Sequence, residues 1–227
     1  MRLAQSQMRS LAGDAAYSAS VALHGVPGAP PEVFQRAVDS LRAVRLRPEV
    51  QLEEVPAPGR IAPHAIALSA DVVTVGRDVD NPSQPDVGAE PQELASGRFV
   101  VLHDPVGQES WEGTFRVVSF VRAELEPELG GDPLLGQVGW TWLLECLEGS
   151  GAQGHAHGGT VTRVVSDSYG ALEDRPSTVE IEVRASWTPA DYDLGPHLQG
   201  WADLLCTVAG LPPLPEGVAP LPRRLRH

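Results

Sequence analysis

Residues 121–149 and 183–210 resemble each other, and this internal repeat constrains the fold more than any other feature of the chain. Each copy contains an alternating segment, turn residues and then an apolar stripe with helical spacing. Each copy therefore predicts the end of a strand, a turn and an amphipathic helix, in which Trp140 and Trp201 are matched core-packing residues. With one single-residue gap, the shared residues are Val121/Val183, Arg122/Arg184, Ala123/Ala185, Pro127/Pro189, Asp132/Asp193, Gly139/Gly200, Trp140/Trp201, Leu143/Leu204, Leu144/Leu205 and Gly149/Gly210.

The repeated unit extends back beyond these identities, because Gly97 and Gly159 precede strand-like segments at the same spacing as Val121 and Val183. The unit is therefore ββα, and a helix and one further strand precede its first copy. We predict an α+β fold in the order α-β3-α-β2-α, with an internal ββα duplication. Its antiparallel sheet carries the helices packed on one face.

The pattern divides the chain into three parts. Residues 1–30 have weak periodicity and predict a disordered leader, and residues 212–227 predict a tail rich in Pro and Arg. Residues 31–211 predict a single α+β domain. Within this domain, 76–97 are rich in Pro and acids and predict a mobile loop, whereas 149–159 are rich in Gly and predict a flexible linker.

The charge and the cysteine content limit the classes of partner. The net charge is −13, which argues against nucleic acid because an acidic surface repels phosphates. No segment approaches the length of a membrane span, so we expect no membrane partner. The two cysteines, Cys146 and Cys206, lie in the repeated helices and are typical of buried thiols in a cytoplasmic protein.

The hairpin at residues 103–112 contains the residues best suited to bind a small ligand, His103, Asp104 and Glu112. An Asp beside a His can support acid–base chemistry. The same pattern is typical of a solvated turn, since Asp104 precedes Pro105. Trp111 lies in this hairpin and suggests contact with a ligand or partner.

His155 and His157 could supply two imidazoles to a metal, but zinc needs three or four ligands and no third residue has diagnostic spacing. A flexible linker that happens to contain histidine explains them as well. Nucleophile, Walker and dinucleotide-binding motifs are missing from the sequence. We therefore predict no metal, no cofactor and no catalytic residue.

The long strands place several arginines on the sheet face away from the helices. Arg122 and Arg184 occupy equivalent repeat positions, and Arg116 shares their face. One interpretation is charge pairing with Glu124, Glu126, Glu180 and Glu182 across a wetted sheet. The other is a partner-binding surface formed by Arg116, Arg122 and Arg184 with Trp111, because Arg binds carboxylates well.

Two resemblances add to this interpretation. The segments HDP-x-G-x-E-x-WEGTFRVVSFVRAELEPE, DPLL, VGWTWL, RASWTP and LLCTVAGLPPLP make residues 32–226 similar to an uncharacterised actinobacterial domain-of-unknown-function family. That resemblance implies no activity. The element order is similar to the type III secretion chaperone-like fold, which includes sensory transduction regulators. This second resemblance implies proteins that bind other proteins, often as dimers.

The first functional hypothesis is a non-enzymatic, cytoplasmic protein-binding adaptor, chaperone or regulator, with a homodimer as one possible assembly. The alternative is a small-ligand-binding or enzymatic protein with a site near the His103–Glu112 hairpin. A structure distinguishes them, since an enzyme needs His103, Glu112 and His155 or His157 around one pocket with apolar walls.

Overall fold

A computed structural model describes residues 29–74 and 92–211. The predicted leader up to residue 28, loop residues 76–91 and the predicted tail lie outside the described residues. The described residues form α1 (Glu32–Ala43), β1 (Val50–Val55), β2 (His64–Thr74), β3 (Gln92–Gln108), β4 (Gly113–Leu125), α2 (Leu135–Gly149), β5 (Gly154–Ser166), β6 (Thr178–Pro189) and α3 (Gly195–Val208).

The strands form one six-stranded sheet in the order β1-β2-β3-β4-β6-β5, and all neighbours are antiparallel. The three helices pack on one face of this sheet and form a single apolar core with it. The core includes Phe34 of α1, Leu143 of α2 and Trp201 of α3. The predicted α+β class, with helices on one face of an antiparallel sheet, is confirmed. That residues 31–211 form a single domain stays a prediction.

The predicted order lacked one strand, because four strands rather than three separate α1 from α2. The additional strand is β1, which pairs with β2 at the edge of the sheet. Only Val50 of β1 is buried, and its last residues include the exposed Glu53 and Glu54. An edge strand with one buried residue shows little of the alternation that identifies strands in a sequence.

Two segments predicted as irregular are strands at their C-terminal ends. Residues 92–97 of the predicted loop belong to β3, and residues 154–159 of the predicted linker belong to β5. Both segments end in a glycine, which resembles turn chemistry in the sequence. In the structure these glycines serve close packing, since Gly97 and Gly159 each lie beneath a tryptophan ring.

Each tryptophan of the repeat packs on the glycine of the other copy. A Cβ atom on Gly97 would lie 2.8 Å from Cζ2 of Trp201, and one on Gly159 would lie 2.8 Å from Cζ3 of Trp140. Consequently α3 packs over β3 and β4, whereas α2 packs over β5 and β6. Trp201 is fully buried and Trp140 is half-buried, so both are packing residues, as predicted.

The repeat has a pseudo-twofold axis at the centre of the sheet. Val121 and Val183 are equivalent in the repeat and directly opposite each other in the β4–β6 pair. The order β3-β4-β6-β5 is therefore symmetric about this pair, and α2 and α3 pack beside each other across it.

Substitution of Gly97 tests the glycine–tryptophan contact. Gly97→Ala should lower the free energy of unfolding by about 2 kcal/mol, because the added methyl would also lie 2.6 Å from the carbonyl oxygen of Phe120. Gly136→Ala is the matched control, since nothing lies within 4 Å of its Cβ position in α2 and Ala favours helix by up to about 1 kcal/mol. Urea unfolding measures both, and equal effects would contradict the packing role of Gly97.

Candidate functional site

One face of the sheet is left uncovered by the helices of the described residues, and we call it the open face. Alternate residues of β4 face the core, among them Val117, Val121 and Ala123. Arg116, Val118, Phe120 and Arg122 lie between them and project to the other side. Arg116, Arg122 and Arg184 therefore lie on the same face of the sheet, as the sequence predicts.

The centre of the open face is a row of three side chains that lie side by side across neighbouring strands, Arg98, Phe120 and Arg184. Strand register places Phe120 directly opposite Arg98 of β3 and Arg184 of β6. The guanidinium carbon of Arg184 lies 5.2 Å from the centre of the Phe120 ring, which is a cation–π contact. We call these three residues the arginine row.

The arginine row crosses a trough of about 700 Å³. Val100 and Val118 form an apolar strip beside the row, and Ser69, Ser96, Asp71 and Glu93 line the rest of the trough. The volume lies in the range of ligand sites in proteins, although this trough is open along its length. Apolar and charged side chains therefore line the same trough.

The two arginines of the row differ in their partners. Arg184 forms an ion pair with Glu182 at 2.8 Å, and its side chain remains 61% exposed. Arg98 is exposed and, within 29–74 and 92–211, has no carboxylate within ion-pair distance. Arg98 is therefore the guanidinium of the row that is available to an incoming anion.

The acidic end of the trough is formed by Asp71 and Glu93. Partial burial raises the pKa of Asp71 above its ordinary value, and the nearby carboxylates of Glu93 and Glu53 raise it further. The trough thus carries positive charge at its centre and negative charge at one end. A bound segment of mixed charge would complement both.

Arg122 supports the interpretation of cross-strand pairing. Its guanidinium donates to both carboxylate oxygens of Glu180, at 2.6 and 3.2 Å, across β4 and β6. This ion pair raises the pKa of Arg122. Half of the Arg122 side chain is exposed, so the pair lies at the surface of the open face.

Arg116 holds the backbone together. It donates to Oγ1 of Thr188 at 3.0 Å, to Oγ of Ser186 at 2.7 Å and to the carbonyl oxygen of Ala156 at 3.0 Å. Ala156 has a positive φ of 51° at the bulge that opens β5, so Arg116 fixes an irregular segment. Partial burial lowers the pKa of Arg116. All three bonds are internal to the chain and give Arg116 a structural role. That Arg116 binds a partner stays a prediction.

Trp111 also has a packing role. It lies in a short 3-10 turn, Glu109–Trp111, and folds back into a small second cluster with Ala65 and Leu102 on the open face. Its side chain is 8% exposed, and its carbonyl oxygen accepts a hydrogen bond from Thr188. The burial leaves little of Trp111 exposed, and its contact with a partner stays a prediction.

The predicted ligand residues His103, Asp104 and Glu112 do not converge. His103 is 2% exposed and lies in the core, where its ring stacks on Phe115 at 4.2 Å. Asp104 accepts bonds from the backbone N–H of Val106 and from Gln108, as in a plain turn. Glu112 lies at the rim of a depression of about 240 Å³ that His155 also lines.

The environment of the buried His103 favours the neutral form of its ring. Its Nδ1 lies 3.0 Å from the carbonyl oxygen of Thr114, and its Nε2 has no partner among the described residues. Burial lowers the pKa of this imidazole. The ring packs between Phe34 and Phe115, which gives His103 a packing role, and its assignment as a ligand-binding residue stays a prediction.

His155 and His157 point in different directions from β5. Nε2 of His155 lies 3.2 Å from the carbonyl oxygen of Glu112, whereas the ring of His157 lies near Trp187. Within the described part of the chain, no cluster of three His, Cys, Asp or Glu could hold a metal. Cys146 and Cys206 are both free, and burial raises the pKa of the Cys206 thiol to about 11.

Sequence reasoning did not single out Arg98 and Phe120. Arg98 is the first residue of a predicted strand, and Phe120 interrupts a face otherwise read as charged. The signal that could have found them is the repeat, because pairing Val121 with Val183 necessarily sets Phe120 opposite Arg184. The register of β3 against β4 was needed as well, and the sequence does not determine it.

Comparison with known proteins identifies a family of unknown function. A family model described as "Protein of unknown function (DUF3000)" matches residues 30–219. No curated protein and no solved structure matches the chain. Among the described residues, no helix is long and apolar enough to cross a membrane.

The different roles of Arg116 and Arg122 can be separated by stability. Arg116→Met should lower the free energy of unfolding by about 2 kcal/mol, because it leaves two hydroxyls and a carbonyl without their charged donor. Arg122→Met should leave the urea midpoint unchanged, since an exposed ion pair contributes little to stability. A midpoint for Arg116→Met equal to that of wild type would contradict the bracing role.

His197 predicts a loss of stability in acid. It is buried and accepts a bond of 3.0 Å from Nε1 of Trp187, and burial lowers its pKa from 6.5 to about 4. The unfolded chain binds a proton below pH 6.5 that the folded chain binds only near pH 4. Stability should therefore be complete above pH 6.5 and fall by up to about 3 kcal/mol towards pH 4.

Urea unfolding at a series of pH values measures this slope. His197→Gln should flatten it between neutral pH and pH 4, with a residual slope from His103, whose pKa burial also lowers. His155→Gln, at an exposed histidine, should keep the wild-type profile. An unchanged slope in His197→Gln would contradict the assignment.

Proposed function

The chain belongs to the DUF3000 family of proteins of unknown function, and we propose that it is a non-enzymatic binding protein, an adaptor, chaperone or regulator, whose open face binds a protein partner. The observation that supports this most is the arginine row, with Arg98 unpaired among the described residues and Phe120 in register between Arg98 and Arg184. A sheet face used only for solvation has no need of an aromatic ring and a free guanidinium in register.

The trough suggests the chemistry of the partner. Arg98 and Arg184 can donate to a carboxylate, while Phe120, Val100 and Val118 offer apolar surface beside it. Asp71 and Glu93 at the acidic end can accept from a basic or amide group. We propose an extended protein segment that carries an acidic residue next to an aromatic or aliphatic one.

The surrounding charge supports a protein partner over a nucleic acid. The chain has a net charge of −13, and Arg98 and Arg184 lie near Glu182, Asp71 and Glu93 rather than in a basic patch. The proposal includes a cytoplasmic location and possible homodimerisation. Two free, largely buried cysteines favour a reducing compartment.

The alternative, a small-ligand or enzymatic site near the His103–Glu112 hairpin, has weaker support. Glu112 and His155 do line one depression, but His103 lies in the core and Asp104 stabilises a turn. The four side chains therefore share no pocket in which acid–base chemistry could be organised.

A double charge reversal in the arginine row tests the proposed function. Arg98→Glu with Arg184→Glu should reduce recovery of the partner from a lysate of the native host at least about tenfold, which equals about 1.4 kcal/mol of binding free energy. Arg45→Glu is the matched control, because Arg45 is exposed and lies outside the open face. Quantitative mass spectrometry of the captured proteins measures the recovery.

The supporting result is a protein captured by wild type and by Arg45→Glu but lost with the double variant. A photo-crosslinking residue in place of Phe120 should join to the same protein, while one in place of Leu144, exposed on α2, should not. Identical captured proteins for all three chains, or equal crosslinking from both positions, would refute binding at the open face.

A further inference from the structure

The two edges of the sheet differ in how well they are protected from pairing. The row of unpaired N–H and C=O groups on an edge strand can pair with another chain, and proteins block it with charges, prolines or bulges. Strand β1 forms one edge and β5 the other. From this difference we propose that β5 is the docking edge for a second copy of this chain, with the two β5 strands antiparallel about a twofold axis.

Strand β5 is long, exposed and regular over most of its length. Its bulge lies at the start, between His155 and Gly158, and residues 158–166 pair with β6 without interruption. That segment spans roughly 30 Å. Val164 and Val165 are among the exposed large apolar residues, at 37% and 49% exposure. No described strand lies beyond β5, so its outer backbone groups have no partner in the sheet.

The composition of β5 favours pairing. Residues 160–166 read TVTRVVS, in which most residues are β-branched and none is Pro or Gly. The single charge is Arg163, which donates to the carbonyl oxygen of Asp132. Thr160, Thr162 and Val164 alternate with it and give the edge a neutral stripe on the open face.

The other edge carries the features that prevent pairing. Strand β1 ends in Glu53, Glu54 and Val55, and Pro56 and Pro58 follow at once. In an edge-to-edge pair of two copies these carboxylates would approach one another, which is destabilising. The protection of β1 shows by contrast what β5 lacks.

Charge indicates that the occupant of β5 is a second copy. The chain carries a net charge of −13, so two copies repel each other over most of their surface. Residues 149–166 contain no Asp or Glu, so pairing of two β5 strands sets no carboxylate of one strand against a carboxylate of the other, and Glu180 and Glu182 lie one strand further in, on β6. Antiparallel pairing of identical strands also closes with twofold symmetry, which limits the assembly to a dimer.

Pairing through β5 would join two open faces into one surface. Thr160 lies opposite Arg184, so the arginine row ends one strand away from the new strand pair. This inference deepens the homodimerisation included in the proposed function by naming its interface, and it does not depend on partner binding at the open face. A chain that dimerises but captures no partner protein would support only the dimer. A chain that captures a partner but stays monomeric would support only the proposed function.

Sedimentation across the micromolar range tests the pairing on the full chain. Wild type should shift from one chain to two as concentration rises. Thr162→Glu with Val164→Glu should remain one chain, because like charges face each other at the new strand pair. The matched control Gln51→Glu adds an acid on the exposed side of β1 and should dimerise as wild type does. Tryptophan fluorescence and urea unfolding verify that each variant is folded.

Cysteine crosslinking provides a second test that does not need a destabilising variant. In a Cys146→Ser background, single cysteines replace Thr160, Thr162 and Val164 in turn. Mild oxidation should link two chains through the position nearest the twofold axis, with Gln51→Cys as the unlinked control. A mass of one chain at all concentrations, a dimer that survives the β5 variants, or equal linking through Gln51→Cys would overturn the inference. The Arg98→Glu, Arg184→Glu chain should still dimerise, so the two proposals fail separately.

Discussion

The contact on which this structure depends is that of a tryptophan ring with a glycine in the sheet, made twice. Trp201 lies on Gly97 and Trp140 lies on Gly159, at distances that leave no room for a Cβ atom. Because each tryptophan follows one hairpin and rests on the other, neither ββα unit can complete its packing alone. The duplication is therefore interlocked, and the central pair β4–β6 joins two halves that already share their helices.

That interlocking determines where the chemistry of the surface lies. Most of the large buried apolar side chains lie in one core between the helices and one face of the sheet. The residues that alternate with these core residues along each strand lie on the open face, and they include arginines, glutamates and a few apolar groups. The symmetry that places Val121 opposite Val183 also places Phe120 beside Arg184. The arginine row is thus a product of the same register that builds the core.

Alternation and helical spacing were enough to predict the class of fold, the long strands and the packing role of both tryptophans. They failed where a residue's environment comes from distant segments. β1 was missed because an edge strand buries only Val50, and the strand ends at Gly97 and Gly159 were missed because a packing glycine resembles a turn glycine. His103 was assigned to a site because a sequence does not show that Phe34 and Phe115 enclose it.

The candidate site shows the same limit more sharply, since three arginines of one face have three different uses. Arg116 donates hydrogen bonds to Ser186, Thr188 and a backbone carbonyl, and so it has a structural role. Arg122 is matched to Glu180 across the strand pair. Arg98 alone of these has neither arrangement within the described residues. The residue type and the sheet face are the same for all three arginines, so neither predicts their different roles. The roles differ because each guanidinium has different partners within reach, and the strand register determines those partners. The proposed recognition therefore rests on Arg98, which the register sets opposite Phe120 and which has no carboxylate partner among the described residues.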